Sequence, residues 1–521
     1  MGRVGILIAA CVLSSCASSR IRLTSPGEGG PNWARVDSPN FHVLTDLAGS
    51  EAQSIARELE LSLDALAQAA FSHPRSAPVT TTVVVFRNED ELHAFLPDLL
   101  EGAFYRQLPS DLESEHVILL YGKLTPEVRI NLLHELTHDL FARNFGYAPA
   151  WLNEGWAQYY STLRLESGRI HVGSALPHLT FTTGAAPHVA RGTNASFVVE
   201  VPVDDLPPPS VLTKIGDEEF YRSSRVESPS NDDRVRSGVL YLSAWALVHM
   251  LLDGANPYAK RFESFGRNAL GAQASAALAR TFTGLDFAQF DRDFRLYLAR
   301  RELGVFDLPW RPNSSAPQIS ERQLTDDEVH ILWARLFSVR TTTKGLWGAE
   351  LDAAQRAAPT SADVYYYRAV HWLKSRNFQS AQGDLETALR LAPLDARVLL
   401  ALALSHAAVA NDQTAARGLF ERLAAVARSS TQFRALARYS LSNGELTRGL
   451  EFAQRAIDTD AIDPYSLDVY AQALAAHGRF KEAVTAEQAA LAFLPEDTRV
   501  PDFFRHLAAL QAQSPDHAKQ P

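Results

Sequence analysis

The chain has 521 residues, 46% of them hydrophobic, which is ordinary for globular protein and enough for two or three domains. Its 50 Lys and Arg stand against 60 Asp and Glu, a net charge of −10, with no long basic run. That balance argues against a nucleic-acid binder.

Residues 1–16 read MGRVGILIAACVLSSC. Arg3 gives a positive start, and residues 4–13 form an apolar core too short to span a bilayer. This is the pattern of a secretory signal. Its end, Leu13-Ser14-Ser15-Cys16, resembles a bacterial lipobox. The resemblance implies cleavage before Cys16, lipidation of Cys16 and anchoring to a membrane. In a cell with two membranes it implies the outer one, on its periplasmic face. The other reading is an ordinary signal peptide with a chance cysteine. Cys11 and Cys16 are the only cysteines, and Cys11 would leave with the signal, so no intramolecular disulfide is expected.

Residues 17–32 are small, polar and rich in Gly and Pro, and read as a flexible tether. Folded structure should start near Trp33. Strands are expected at 41–44, 79–86 and 116–121, and helices at 51–70 and 88–95. The strand 116–121 is either buried or a sheet edge beside a cleft, where an extended peptide could pair.

Residues 132–145 read as a helix, with Leu132, Leu133, Leu136, Leu140 and Phe141 near helical spacing and no Pro or Gly before Gly146. It carries His134, Glu135 and His138 as H-E-x-x-H. Positions i and i+4 share a helix face, so the two imidazoles point the same way and can bind one Zn2+. Glu135, beside the first His, is placed to act as a general base on water without ligating the metal. A catalytic zinc has three protein ligands as a rule. Gly146 and Pro149 should turn the chain into a second helix from about residue 150, which brings Glu154 back as the third. H-E-x-x-H alone is a weak signal. The following Asn153-Glu154-Gly155-Trp156-Ala157 run makes it specific.

HELTH followed by WLNEGWAQYY resembles the core of the gluzincin metallopeptidases. The second run is close to the W-L-N-E-G-F-A element of the zinc aminopeptidases. The resemblance implies that His134, His138 and Glu154 bind zinc and that Glu135 activates water. It covers about thirty residues and carries three departures. Only 15 residues separate His138 from Glu154, Asp139 is charged where the family has an uncharged residue, and there is no G-x-M-E-N run. An endopeptidase is therefore expected rather than an aminopeptidase. Zinc held by His and Glu rather than by thiolates also suits an oxidising periplasm.

Residues 162–237 carry little pattern. Residues 199–209 hold Pro202, Pro207, Pro208 and Pro209 and read as a loop; residues 223–237 read as a second loop over the cleft. Residues 239–252 read as an apolar helix of 14 residues, too short for a bilayer. Gluzincins often set a Tyr or His from a later helix against the developing oxyanion, a role open to Tyr241. The other reading makes Tyr241, Trp245 and His249 core packing. Residues 262–300 read as further helices that close a domain spanning 33–306.

Residues 307–327 are Pro- and Ser-rich and read as a linker. Units then begin near Glu328, Ala362, Ala396, Ser430 and Pro464, a period of 34. Ala369, Ala403, Ala437 and Ala471 recur at one place in the unit, Ala381, Ala415, Gly449 and Ala483 at another, and Pro359, Pro393 and Pro495 near unit ends. Period, small residues and terminal Pro match the TPR pattern over residues 328–497. Such an array makes a concave groove for a protein partner, or serves as a spacer. Residues 498–521 read as a cap and a disordered tail.

The expected architecture is an α+β zincin-like metallopeptidase domain followed by an all-α TPR solenoid. The whole chain is loosely similar to bacterial lipoproteins that join a gluzincin-like domain to TPR repeats. The expected function is hydrolysis of peptide bonds in the cell envelope by a lipid-anchored zinc enzyme. Two rivals stand beside it: a catalytically inactive, peptidase-like scaffold in envelope assembly, and a zinc hydrolase acting on a non-peptide bond.

Overall fold

The computed structural model describes residues 23–513 except 72–79, 96–102, 109–111, 113–114, 147, 177–178, 183–186, 192–196, 223–229, 270–273, 301–302, 313–315, 339–343, 409–411 and 495–499. The signal segment with Cys16, the first part of the tether, and residues 223–229 of the segment expected as a loop over the cleft lie outside the described residues, as does the end of the chain from 514.

The chain opens with β1 (Ala34–Asp37), β2 (Phe41–Thr45), α1 (Gly49–Ala70), β3 (Thr81–Phe86), α2 (Glu89–Phe95), β4 (Ala103–Leu108) and β5 (Glu115–Tyr121). β2, β3 and β5 run parallel; β1 and β4 flank them antiparallel. Every residue of β3 is buried, as expected for a strand covered on both faces. Its alternation divides two cores. Val83 and Val85 join Ile55 and Leu59 of α1, while Val84 and Phe86 join Trp33 and Phe95 on the opposite face. β5 lies between β3 and β4, so it is not the sheet edge; β4, which the sequence pattern did not reveal, is outermost.

Next come α3 (Pro126–Phe145) and α4 (Ala150–Ser161). Thr125 caps α3 by accepting the Val128 N–H, and Pro126 fills its first turn. Where the sequence carried little pattern, strands follow: β6 (Arg164–Glu166), β7 (Arg169–Val172), β8 (Leu179–Thr182), β9 (His188–Arg191) and β10 (Phe197–Pro202), the last running into the stretch 199–209 expected as a loop. β10 holds Val199 and Val201 in the core and ends at Pro202, while Pro209 fills the first turn of the next helix. Two short turns, α5 (Pro209–Leu212) and α6 (Asp217–Phe220), lead to α7 (Asn231–Leu252).

α7 starts at 231 rather than 239 because Ser230 and Asp233 form a capping box at the head of a polar first turn. At 22 residues it is long and apolar enough to cross a membrane by length and composition, yet 67% of its apolar window is buried inside the protein. Helices α8 (Ala259–Ala269), α9 (Ala274–Phe282) and α10 (Phe287–Leu298) follow. The stretch expected as a linker is tied back twice: β11 (Phe306–Pro309) pairs with β7, and β12 (Ser320–Gln323) pairs with β1 as a sixth strand of the main sheet.

The remainder is helical: α11 (Asp326–Phe337), α12 (Lys344–Ala357), α13 (Ala362–Lys374), α14 (Phe378–Leu391), α15 (Ala396–Ala408), α16 (Gln413–Val426), α17 (Ser430–Ser442), α18 (Leu446–Thr459), α19 (Pro464–Ala476), α20 (Phe480–Phe493) and a final α21 (Val500–Gln513). From α13 to α19 the first helix of each pair begins at the position the 34-residue period gives. Ala369, Ala403, Ala437 and Ala471 are fully buried where the helices of a pair meet. In the α16 pair Ala416, not Ala415, takes the buried place. This is a TPR solenoid.

Both ends of the array touch the preceding fold. Val329, Leu332 and Trp333 of α11 complete the core under β3, with the Trp333 ring edge-on to Trp33 at 6.5 Å. At the other end α20 packs against α3, next to Gly146. The first helical pair therefore shares a core with the sheet instead of starting a separate domain at 328.

Candidate metal centre

His134 and His138 lie one turn apart on α3 with side chains only 11% and 14% exposed, while Leu132, Leu133, Leu136, Leu140 and Phe141 of the same helix are buried in the core. Their Nε2 atoms lie 3.0 Å apart. Glu154 reaches the pair from α4: its Oε2 stands 3.4 Å from His134 Nε2 and 3.5 Å from His138 Nε2. Metal–ligand bonds of about 2.0–2.1 Å in a tetrahedron put ligands about 3.3 Å apart. The observed triangle has that size.

What brings Glu154 there is Gly155. A Cβ at that position would lie 2.4 Å from the Ala244 carbonyl oxygen, so only glycine lets α4 lie this close to α7. Trp151 and Trp156 bury their rings on either side and fix the helix rotation.

The atoms facing away from the centre are held as well. His138 Nδ1 is 3.1 Å from Asn153 Oδ1, which selects the tautomer with Nδ1–H donating and leaves the Nε2 lone pair free. Tyr221 O–H donates to Glu154 Oε1 at 2.8 Å, leaving Oε2 for the centre. That Oε2 is buried with no hydrogen-bond partner among the described residues, and the imidazole nitrogens stand at ligand-to-ligand spacing from it. An orphaned buried carboxylate oxygen between two imidazoles is costly unless a cation completes it. The three donors, two imidazoles and one carboxylate, suit zinc.

Electrostatics agree. Burial lowers the affinity of His138 for a proton, but the Glu154 charge, with smaller help from Glu135, raises its pKa to about 9. Burial raises that of Glu154, yet the charge on His138, with His134, holds it well below the usual carboxylate range. Burial, then the Glu154 charge, pushes the Tyr221 hydroxyl far above its normal pKa, so it stays a donor.

Glu135 is half-buried on α3 beside His134, outside the triangle of donors, and its charge is felt at His138. Tyr241 is partly buried on α7, edge-on to Phe220 at 5.4 Å and near enough to Tyr221 to raise that phenol's pKa. It is Tyr221 whose hydroxyl bonds Glu154, and no motif marked it. Trp245 and His249 are core: both are 2% exposed, and His249 bonds the Tyr297 hydroxyl at 2.7 Å and the Gly173 carbonyl at 2.9 Å. Asp139, unusual next to the second His, is a buried partner of Arg143 at 2.7 Å, and Arg143 donates to Thr81 Oγ1. It ties α3 to the sheet.

No protein-family model and no curated protein matches this chain. Among solved structures it is similar to YrrB, a TPR protein with an unusual peptide-binding site, at 18% identity over 31% of this chain and 82% of that one, with a TM-score of 0.27. It is similar to TTC0263, a thermophilic TPR protein in Thermus thermophilus, at 15% identity over 36% and 99%, TM-score 0.30. It is similar to PilW, a widely conserved type IV pilus biogenesis factor, at 13% identity over 36% and 91%, TM-score 0.30. At that identity and extent these likenesses say nothing of activity.

Proposed function

We propose that the chain is a protein-binding TPR scaffold that carries a zinc-dependent hydrolytic centre of gluzincin type on a zincin-like α+β fold, and that it cuts peptide bonds as an endopeptidase. The observation that carries this reading is the triangle of His134, His138 and Glu154, with an orphaned carboxylate oxygen facing two imidazole nitrogens. Zinc, when bound, lowers the pKa of water to near 7 and polarises a carbonyl. His134, His138 and Glu154 hold the ion. Asn153 and Tyr221 orient His138 and Glu154. Glu135 accepts a proton from the attacking water and delivers it to the leaving amine. Tyr241 remains a candidate donor to the developing oxyanion. The repeat groove binds the substrate or a partner protein, and a lipid on Cys16 holds the chain at the periplasmic face of a membrane.

The second reading keeps the scaffold and drops the chemistry: a peptidase-like TPR lipoprotein in envelope assembly. The repeat array supports it, since these helical pairs make up the part of the fold whose known use is binding. One experiment separates the two. Zinc content and cleavage of a casein-like substrate are measured with and without chelator. Bound zinc and chelator-sensitive cleavage support the enzyme. Zinc without cleavage of any peptide favours the scaffold.

A further inference from the structure

A second group of metal-type donors lies in the repeat array, at its C-terminal end. Asp468 on α19, Glu487 on α20 and His506 on α21 bring one donor atom each within 4.8 Å of one another. Three successive helices thus converge on one point. His506 Nδ1 is 2.7 Å from Asp468 Oδ1. Glu487 is 0% exposed, and both its carboxylate oxygens are buried without a hydrogen-bond partner among the described residues.

A carboxylate in that state has no ordinary structural role. Helix faces that only pack carry apolar residues, as Ala483, Ala486 and Ala490 do around it. Burying a lone charge is expensive, and proteins neutralise it by pairing, by a proton or by a metal. Here the His506 imidazole is taken by Asp468 at 2.7 Å, which leaves Glu487 beside a second carboxylate. A cavity of about 310 Å³ has Asp468 and His506 in its wall, which gives an ion a way in from solvent.

We propose that Asp468, Glu487 and His506 form a structural site for one divalent transition-metal ion, of zinc type, that fastens the terminal helix α21 to the last repeat. Imidazole beside two carboxylates favours zinc over calcium or magnesium, which take oxygen ligands. Terminal repeats need a cap, and α21 is a modest one: among its residues only Phe503 and Leu510 are buried. An ion holding both sides supplies what that small apolar contact does not. This site stands apart from the first centre and does not depend on its activity.

The test uses the full chain and zinc alone. After dialysis against zinc, wild type should retain two equivalents. His506→Ala should retain one, and so should His134→Ala. His506 is half exposed at the side chain, 45%, so its removal leaves the fold intact, which circular dichroism checks. Hydrogen exchange of residues 500–513 gives an independent readout. Zinc at a hundred times its dissociation constant should slow local opening about a hundredfold in wild type and not in His506→Ala. One equivalent in wild type, lost in His506→Ala and kept in His134→Ala, still supports this site and counts against the hydrolytic centre. If His506→Ala and Glu487→Gln hold as much zinc as wild type, and exchange in α21 ignores zinc, the site does not exist and the carboxyls share a proton.

Discussion

Gly146 ends α3 directly against the Ala492 backbone of α20: a Cβ there would lie 2.1 Å from the Ala492 carbonyl oxygen. Gly146 also has φ +71, a left-handed conformation that glycine adopts freely. The end of the repeat array therefore rests on the turn between the helix that carries His134 and His138 and the helix that carries Glu154. Gly146→Ala meets both strain and a backbone that cannot swing aside. It should cost about 1–3 kcal/mol, speed hydrogen exchange in residues 480–493, and loosen zinc. Unchanged exchange in that helix would show that the contact is dispensable.

The other end of the array is bound to the sheet. Trp333 belongs to the first helical pair by sequence, but it packs among Trp33, Val84 and Phe86. Trp333→Ala should cost about 3–5 kcal/mol, as large aromatic truncations in a core do. Exchange should quicken in β3 as well as in α11. An effect confined to α11 and α12 would mean that the repeats fold alone.

Some of this was plain in the sequence and some was not, for physical reasons. The repeat starts at Ala362, Ala396, Ser430 and Pro464 were legible because a fixed period and buried alanines report a packing that each unit repeats. His134, His138 and Glu154 were legible because one helical turn and one short connection set their geometry locally. The role of Trp333 was not legible, since a residue inside a repeat pattern says nothing of what lies on its other side. β4 and the strands β8 to β10 are four to six residues long, too short for their patterns to stand out from the polar residues and prolines around them. Tyr221 could not be found from pattern at all: it stands 67 residues from Glu154 in sequence and meets it only through the packing of α6 on α4.

Tyr221 and Asn153 therefore make a sharp test of the centre. Neither belongs to the triangle of donors, yet each bonds a side chain that does. Tyr221→Phe removes the hydrogen bond to Glu154 Oε1, and Asn153→Ala removes the acceptor of His138 Nδ1–H. Each should weaken zinc binding by about tenfold to a hundredfold, measured by competition with a coloured chelator. Both variants should fold normally. Wild-type affinity in both would mean that neither residue positions a ligand.

The roles of base and ligand should also separate on mutation. Glu135 lies next to His134 on α3 but outside the triangle that His134, His138 and Glu154 form. Glu135→Gln keeps size and shape and removes the proton acceptor. It should retain zinc and lose turnover by about a hundredfold or more, the usual contribution of a general base. His134→Ala or Glu154→Ala removes one of three donors. Each should lose zinc from the first centre and activity together. Glu154→Ala also removes the hydrogen bond that the Tyr221 hydroxyl donates to Oε1, so its stability should fall by about 0.5–1.5 kcal/mol, whereas His134→Ala should cost less. Atomic absorption beside cleavage assays on the same preparations reads all of these at once. Zinc retained with full activity in Glu135→Gln would remove Glu135 from the mechanism. Zinc retained at this centre in both ligand variants would remove the centre itself.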